Sequence, residues 1–228
     1  NRQFDLTGIR DGKNLKIISR GVVAYHWDEP YTAVNSIAHL VMFLATLSLG
    51  EKPDQLIRFV AERIGDQTDG SGLGIADKRD TGDLRLGLNS MTMDEFGLAF
   101  EVNTLFSAEV NIIDIYNKIL SLTQDEIQLI VRNMRKGFFL DREMPLLKAC
   151  YESYCEVTGN RDPIKVCGGT YAKVIRNAVP FGAIFGPEQD ICHTPDEHIR
   201  VKSELMVWTK IYANAILRIA DHIDEWSK

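Results

Sequence analysis

Three short stretches of this chain carry residue types that can do chemistry. The first is AYHWDEPYTAVN, residues 24–35, where His26 and Asp28 flank a tryptophan. A His-x-Asp pair can ligate a metal, but catalytic zinc takes three protein ligands and an open position, so other donors must arrive from elsewhere in the fold. The alternative is one histidine at a strand end, presented to a substrate or to water. The second stretch is CHTPDEH, residues 192–198, which gathers His193, Asp196, Glu197 and His198 around Pro195. Loops that collect titratable groups are where binding residues concentrate; the alternative is a solvated loop in which Asp196 or Glu197 caps the last helix. The third is DGSGLGIADKRDTGD, residues 69–83, whose Gly70, Gly72 and Gly74 resemble a phosphate cradle. A phosphate loop follows a strand and opens a helix. This one follows a predicted helix and runs into charged loop, so a structural turn is expected.

The elements that would position these groups can be read from periodicity and punctuation. Residues 15–24 (LKIISRGVVA) are rich in β-branched side chains and predict a strand, with Gly21 as a bulge. Asn35 predicts the cap of a helix whose stripe is Ile37, Leu40, Val41, Leu44 and Leu47. His39 falls off that stripe and is expected in solvent. A second helix is predicted over 54–64, opened by Pro53-Asp54 and stopped by Gly65. Residues 84–91 and 96–103 predict two strands joined near Asp94-Glu95, with Phe96, Leu98, Phe100 and Val102 on one face. A helix is predicted over 110–120. Thr123 to Glu126 has the pattern of a capping box for another, although 127–131 suits a strand equally well.

Beyond Gly137 the pattern changes. Helices are predicted over 143–158, ended by Gly159, and over 202–226, with Leu205, Trp208, Ile211, Tyr212, Ala215, Ile219 and Ile223 on one face. Between them lie a short strand at 164–167 and an apolar stretch at 178–185. The expected fold class is α+β. A small antiparallel sheet with helices on one face occupies 1–137, followed by an α/β segment, 138–228, whose two short strands and two helices make a small core.

Composition narrows the function classes. The chain has 228 residues, is 45% hydrophobic and 25% charged, and carries a net charge of −6. No basic face points to nucleic acid, and no apolar run nears the ~20 residues of a membrane span. No secretory signal is expected from the opening NRQFD, and the four cysteines (Cys150, Cys155, Cys167, Cys192) contain no Cys-x-x-Cys. Reduced thiols in a cytoplasmic protein are expected.

Residues 143–198 then carry an ordered set of features: a helix ending in Thr-Gly, Gly-Gly-Thr-Tyr-Ala, Val-Pro-Phe-Gly and His-x-x-x-Glu. This run resembles the C-terminal end of the zinc-dependent aminoacylase/carboxypeptidase family, and is most similar to its bacterial dipeptidase V-type (Xaa-His, carnosinase-like) members. Upstream, His26, Pro30 and Asn35, together with Gly-Leu-Gly-Ile at 72–75, resemble the lid domain inserted in such enzymes. Two departures stand out. Ala33 and Ser36 flank Asn35 where the family usually has Gly and Ala. Residues 102–106 (VNTLF) lack the substrate-binding arginine usual on that lid strand.

The resemblance implies a lid domain at 1–137 and the C-terminal part of a metallopeptidase catalytic domain at 138–228. It also implies two zinc ions in the complete enzyme and a dipeptide or small N-acyl amino acid as substrate. His26 would be the lid histidine that donates to the developing oxyanion, His193 a metal ligand, and Gly168, Gly169 and Thr170 the lining of the substrate site. The family's own His-x-Asp precedes a bridging aspartate and a Glu-Glu pair, and this chain contains no Glu-Glu. The chain alone is therefore expected to be truncated and inactive. A different class of function also remains open: a non-catalytic module that forms a homodimer or binds a partner through the lid. So does an enzyme completed by a second polypeptide.

Overall fold

Asp11-Gly12-Lys13-Asn14 turns the chain back on itself, with Gly12 at φ 60°. The turn joins β1 (Leu6–Asp11) to β2 (Asn14–Ser19), antiparallel, with Asp11 opposite Asn14. Only the second strand was legible in the sequence, because β1 is mostly exposed and shows no apolar alternation. The computed structural model describes residues 4–23, 33–79, 82–123, 127–135, 137, 140–141, 143–162, 170–182, 185 and 192–226. His26 and Pro30, the strand predicted at 164–167, and Gly168 and Gly169 lie outside those residues. By its internal contacts the chain divides into two units, 1–137 and 138–228.

In the first unit, Gly21 is not a bulge. It lies past the end of β2, where an added Cβ would sit 2.4 Å from the Val34 carbonyl oxygen. The glycine lets two backbones touch, and next to it Val22 and Val34 form an isolated antiparallel bridge. Helix α1 (Ser36–Leu44) begins directly after that bridge. Asn35 Oδ1 accepts from Ile37 N at 3.0 Å and Ala38 N at 3.1 Å, satisfying two of the amides that a helix start leaves unpaired. Ala38 and Val41 are fully buried, whereas Leu47, the last residue of the expected stripe, lies beyond the helix and is exposed. His39 is half-buried rather than solvated: its ring lies against Phe4, centroids 5.2 Å apart, and its Nδ1 is enclosed. Phe4 is too distant in sequence for helical periodicity to reveal that contact.

Helix α2 (Glu51–Arg63) starts three residues before the expected Asp54. Pro53 falls in its first turn, where no amide partner is lost, and Asp54 Oδ1 accepts from Leu49 N at 2.9 Å. The glycine-rich stretch that follows is a 3₁₀ turn, Ser71–Leu73, between left-handed Gly70 and Gly74. It inserts Leu73 and Ile75 into the core, so its glycines serve a turn and not a phosphate. Strands β3 (Arg85–Asp94) and β4 (Gly97–Leu105) then pair as a hairpin. Asp94 Oδ1 accepts from Phe96 N and Gly97 N at its tip, so Phe96 belongs to the turn and is 91% exposed, not in the sheet face. The register skips Asn89, two residues of β3 facing one of β4, which is a β-bulge.

Leu84, Leu86 and Leu88 from this hairpin meet Ala38, Val41, Ile57, Val60 and Ile64 from the two helices to form the core of the unit. Helix α3 (Ile112–Leu120), capped by Asn111, adds Ile115 and Ile119 at its margin. Residues 127–135 are neither helix nor strand, although either was predicted from 127–131. Ile130 and Val131 are largely exposed, so no buried face draws them into a regular element.

In the second unit, α4 (Pro145–Thr158) ends at left-handed Gly159, as expected. A single π turn, Val201–Leu205, leads into α5 (Met206–Trp226). Tyr154 of α4 packs with Trp208 and Ile211 of α5, flanked by Phe181 and Phe185. Of the stripe expected on α5, Trp208, Ile211 and Ala215 are buried, while Leu205 and Tyr212 are partly exposed. Arg218 reaches from α5 to Glu152 at 3.2 Å and Glu156 at 2.6 Å on α4.

The architecture is mixed α+β, built from small antiparallel sheets and helices. The single sheet expected for the first unit is, among the described residues, two separate two-stranded hairpins.

Candidate functional site

His193 has φ 64°, in the left-handed region that costs an L-residue about 1 kcal/mol or more. Asn177, with φ 58°, is the other described non-glycine residue at positive φ. Backbone held in this way persists only where the surroundings over-determine it, and such residues cluster at functional sites. At His193 the determinant is close at hand. Glu197 Oε2 accepts from the His193 amide at 3.0 Å, and Glu197 N donates back to Thr194 O at 3.1 Å. The carboxylate that follows the histidine in His-x-x-x-Glu thus folds the loop into a knot that presents an exposed imidazole.

Next to it, His198 Nδ1 lies 2.6 Å from the Asp196 carbonyl oxygen, which calls for a proton on Nδ1; in the neutral ring Nε2 is then the lone-pair nitrogen. A ligating histidine is commonly held by such a bond on its second nitrogen. His198 was grouped with the loop from sequence, but its tautomer was not legible there. Neither Asp196 nor Glu197 caps α5: that turn begins with Arg200, whose amide and guanidinium both bond to Glu204.

Of the expected substrate-site residues, only Thr170 is described. Its hydroxyl accepts from Ala172 N at 3.2 Å and caps the 3₁₀ turn Tyr171–Lys173. That turn borders an open cavity of about 600 Å³. Lys173, Ile175 and Asn177 line one side, and Asp141, Glu143 and Met144 line the other. Sequence reasoning missed these residues, because a lysine and two acids scattered from position 141 to position 173 form no motif. Neither His193 nor Thr170 lines the cavity.

The resemblance in the sequence implies zinc. Among the described residues, no three histidine, cysteine, aspartate or glutamate side chains converge where they could hold a metal ion. A zinc site needs at least three protein donors. The described donors therefore do not by themselves fit a dinuclear zinc centre. Among the described cysteines, Cys150 is buried in α4, and burial pushes its thiol up, away from the thiolate that binds metal. No helix among the described residues is long and apolar enough to cross a membrane.

Residues 16–218 match the family model for peptidase family M20/M25/M40. The chain is 26% identical over 204 residues to a "Putative dipeptidase" of Staphylococcus saprophyticus, covering 86% of this chain and 42% of that protein. It is 27% identical over 201 residues to one of Staphylococcus aureus (strain MW2), covering 85% and 42%. A third similar protein, from Staphylococcus epidermidis, is 26% identical over 197 residues. The chain therefore spans about two fifths of the length of these relatives.

Proposed function

The chain belongs to peptidase family M20/M25/M40, and on that premise we propose that it supplies the lid and the C-terminal part of the catalytic domain of a dipeptidase of the dipeptidase V type. The observation that carries this reading is the loop at 192–198. There a histidine is held at positive φ by the glutamate four residues on, inside a family match that runs through residue 218. The relatives are named as dipeptidases, which supplies the substrate class, a dipeptide.

In this reading each expected site residue has its own role. His26, from the first unit, donates a hydrogen bond to the oxygen of the scissile carbonyl as negative charge builds there. A donor preorganised in a dry site contributes about 2.7–4 kcal/mol to such a step. Gly168, Gly169 and Thr170 line the substrate site for a dipeptide. His193 offers one imidazole nitrogen as a metal ligand. Two zinc ions need more donors than this, so the remaining ligands come from residues outside 1–228 and the chain alone turns over no substrate.

Zinc binding and hydrolysis measured together test the proposal. The purified chain, equilibrated with micromolar zinc, is expected to retain well under one tightly bound zinc and to show no saturable dipeptide hydrolysis. Adding a polypeptide with the family's His-x-Asp, bridging aspartate and Glu-Glu pair is expected to bring both, and His193→Ala to reduce both. Two zinc ions held tightly by the chain alone would overturn the ligand assignment and reopen His26 and Asp28 as metal donors. Hydrolysis restored equally well by the His193→Ala chain would remove His193 from the site.

A further inference from the structure

Helix α5 is apolar on more sides than its packing uses. Trp208, Ile211 and Ala215 are buried, the first two against Tyr154 of α4. A second set, Met206, Ala213, Ile216, Leu217 and Ala220, is exposed, with Ile216 at 65% and Leu217 at 62%. At 3.6 residues per turn this set covers an arc of about 100° of the helix. The one polar residue within the arc, Thr209, turns its hydroxyl back onto its own helix, donating to Leu205 O at 2.7 Å. The other polar side chains described on α5 are Lys210, Asn214, Arg218, Asp221 and His222. They fall in a strip of about a third of the circumference, outside that arc. Helix α4 shows the ordinary arrangement: Lys148, Glu152 and Glu156 follow one another at four-residue spacing on its solvent side.

A helix that is apolar around about two thirds of its circumference belongs between two layers. A contiguous exposed apolar face marks a surface that another polypeptide covers. On α5 the first layer is α4. The second is missing: among its described residues the second unit has helices and no strand, whereas helices of this kind pack on a sheet. The family match runs through residue 218 and so includes this face. The chain nevertheless spans only 42% of the Staphylococcus saprophyticus relative. More than half of that protein's length therefore has no counterpart here, which is ample for a further layer.

We propose that the face of α5 formed by Met206, Ala213, Ile216 and Leu217 is a docking surface for the part of the polypeptide that this chain does not span, and that the partner meets it with an uncharged, apolar face. The identity of the partner rests on the function proposed above, whereas the exposed face does not. Association is driven by removing Ile216 and Leu217 from water, and the absence of charge from the arc excludes a partner that docks through ion pairs. Ile216→Lys and Leu217→Lys each place a charge in the face without touching the side of α5 that packs on α4. Lys148→Ala, on α4, is the control.

The experiment co-expresses the full chain with the part of the Staphylococcus saprophyticus relative that it does not span, and measures their association by sedimentation and titration. The parent chain and Lys148→Ala are expected to form a 1:1 complex. Each lysine variant is expected to bind at least about tenfold more weakly, because it buries an unpaired ammonium group. Amide exchange at Tyr154 and Ile211 should stay as in the parent in both lysine variants, since the substituted side chains are exposed in the chain alone. Equal binding by the lysine variants would overturn the proposal, as would a parent chain that recruits no partner. A parent chain that dimerises by itself, with monomeric lysine variants, would make the face a contact between copies and overturn it too. Faster exchange at Tyr154 and Ile211 in both variants would make the face part of the unit's own packing, with the same consequence. Binding is read without zinc or substrate, so failure of the peptidase reading would appear in the zinc and hydrolysis measurements and not here.

Discussion

Cys150 shows how one buried side chain turns burial into pH dependence. It lies on the inner face of α4 at 6% exposure, and burial raises its thiol above the ordinary value. In the unfolded chain a cysteine loses its proton near pH 8.5; in the folded chain it keeps that proton to higher pH. Below about pH 8 both forms are protonated and the group adds no pH dependence. As pH rises past that value the unfolded state sheds the proton first, so stability falls. The unfolding free energy from urea titrations should decline from about pH 7.5 to pH 9.5, and Cys150→Ala should flatten part of that decline while leaving the value at the lower pH within about 1–2 kcal/mol of the parent. An equally steep decline in the variant would assign it elsewhere, for example to Tyr212, whose hydroxyl burial also raises. At this scale some of the chain was legible and some was not. The cap at Asn35 could be read because capping is local in sequence. The bond from Asn35 to Leu88, the contact of His39 with Phe4 and the positive φ of His193 could not, because each depends on a partner or a conformation that no local pattern encodes.

At the scale of elements, hydrophobic period located most helices and strands; apart from shifted ends, it missed one strand and read one regular element that is not there. Leu84, just before β3, and Leu86 and Leu88 within it alternate inward and are each at most 5% exposed, while Met93 near the tip of the same hairpin is 67% exposed. Leu86→Ala removes most of a side chain from a packed interior and is expected to cost about 2–5 kcal/mol. Met93→Ala is expected to stay within about 0.5 kcal/mol. Denaturant unfolding of the two variants checks the pair, and equal losses would contradict the inward and outward faces assigned to β3. The same contrast explains where prediction stopped. Phe96 continues the alternation of Leu98, Phe100 and Val102 in sequence, yet Asp94 draws the Phe96 amide into the turn. The strand β1 was missed because its exposed residues need no apolar period. Residues 127–131 have the composition of a helix or a strand but no core face to occupy, and composition cannot report that.

At the scale of the whole chain, each unit has its own core, and the two are built differently. Among the described residues, the first buries ten aliphatic side chains between helices, a 3₁₀ turn and a hairpin. The second depends on one aromatic cluster: Trp208 is 3% exposed and lies with Tyr154, Phe181, Phe185 and Tyr212 around it at centroid distances of 5.0–6.2 Å. Aromatic pairs at these distances add about 0.5–1.5 kcal/mol beyond their buried area. The other link between α4 and α5, Arg218 with Glu152 and Glu156, joins side chains that are all more than a third exposed. Exposed ion pairs of that kind contribute about 0–1 kcal/mol. The sequence showed both the stripe on α5 and the charges, but not which of them dominates, since that depends on burial. Trp208→Ala is therefore expected to cost about 3–5 kcal/mol in the second unit and Arg218→Gln less than about 1 kcal/mol. Amide exchange at Tyr154 and Ile211 reads that unit, while Val41 and Leu86 read the first. A larger loss from Arg218→Gln than from Trp208→Ala would mean that α4 and α5 are held together by charge, and that the second unit depends on ionic strength in a way its aromatic core does not require.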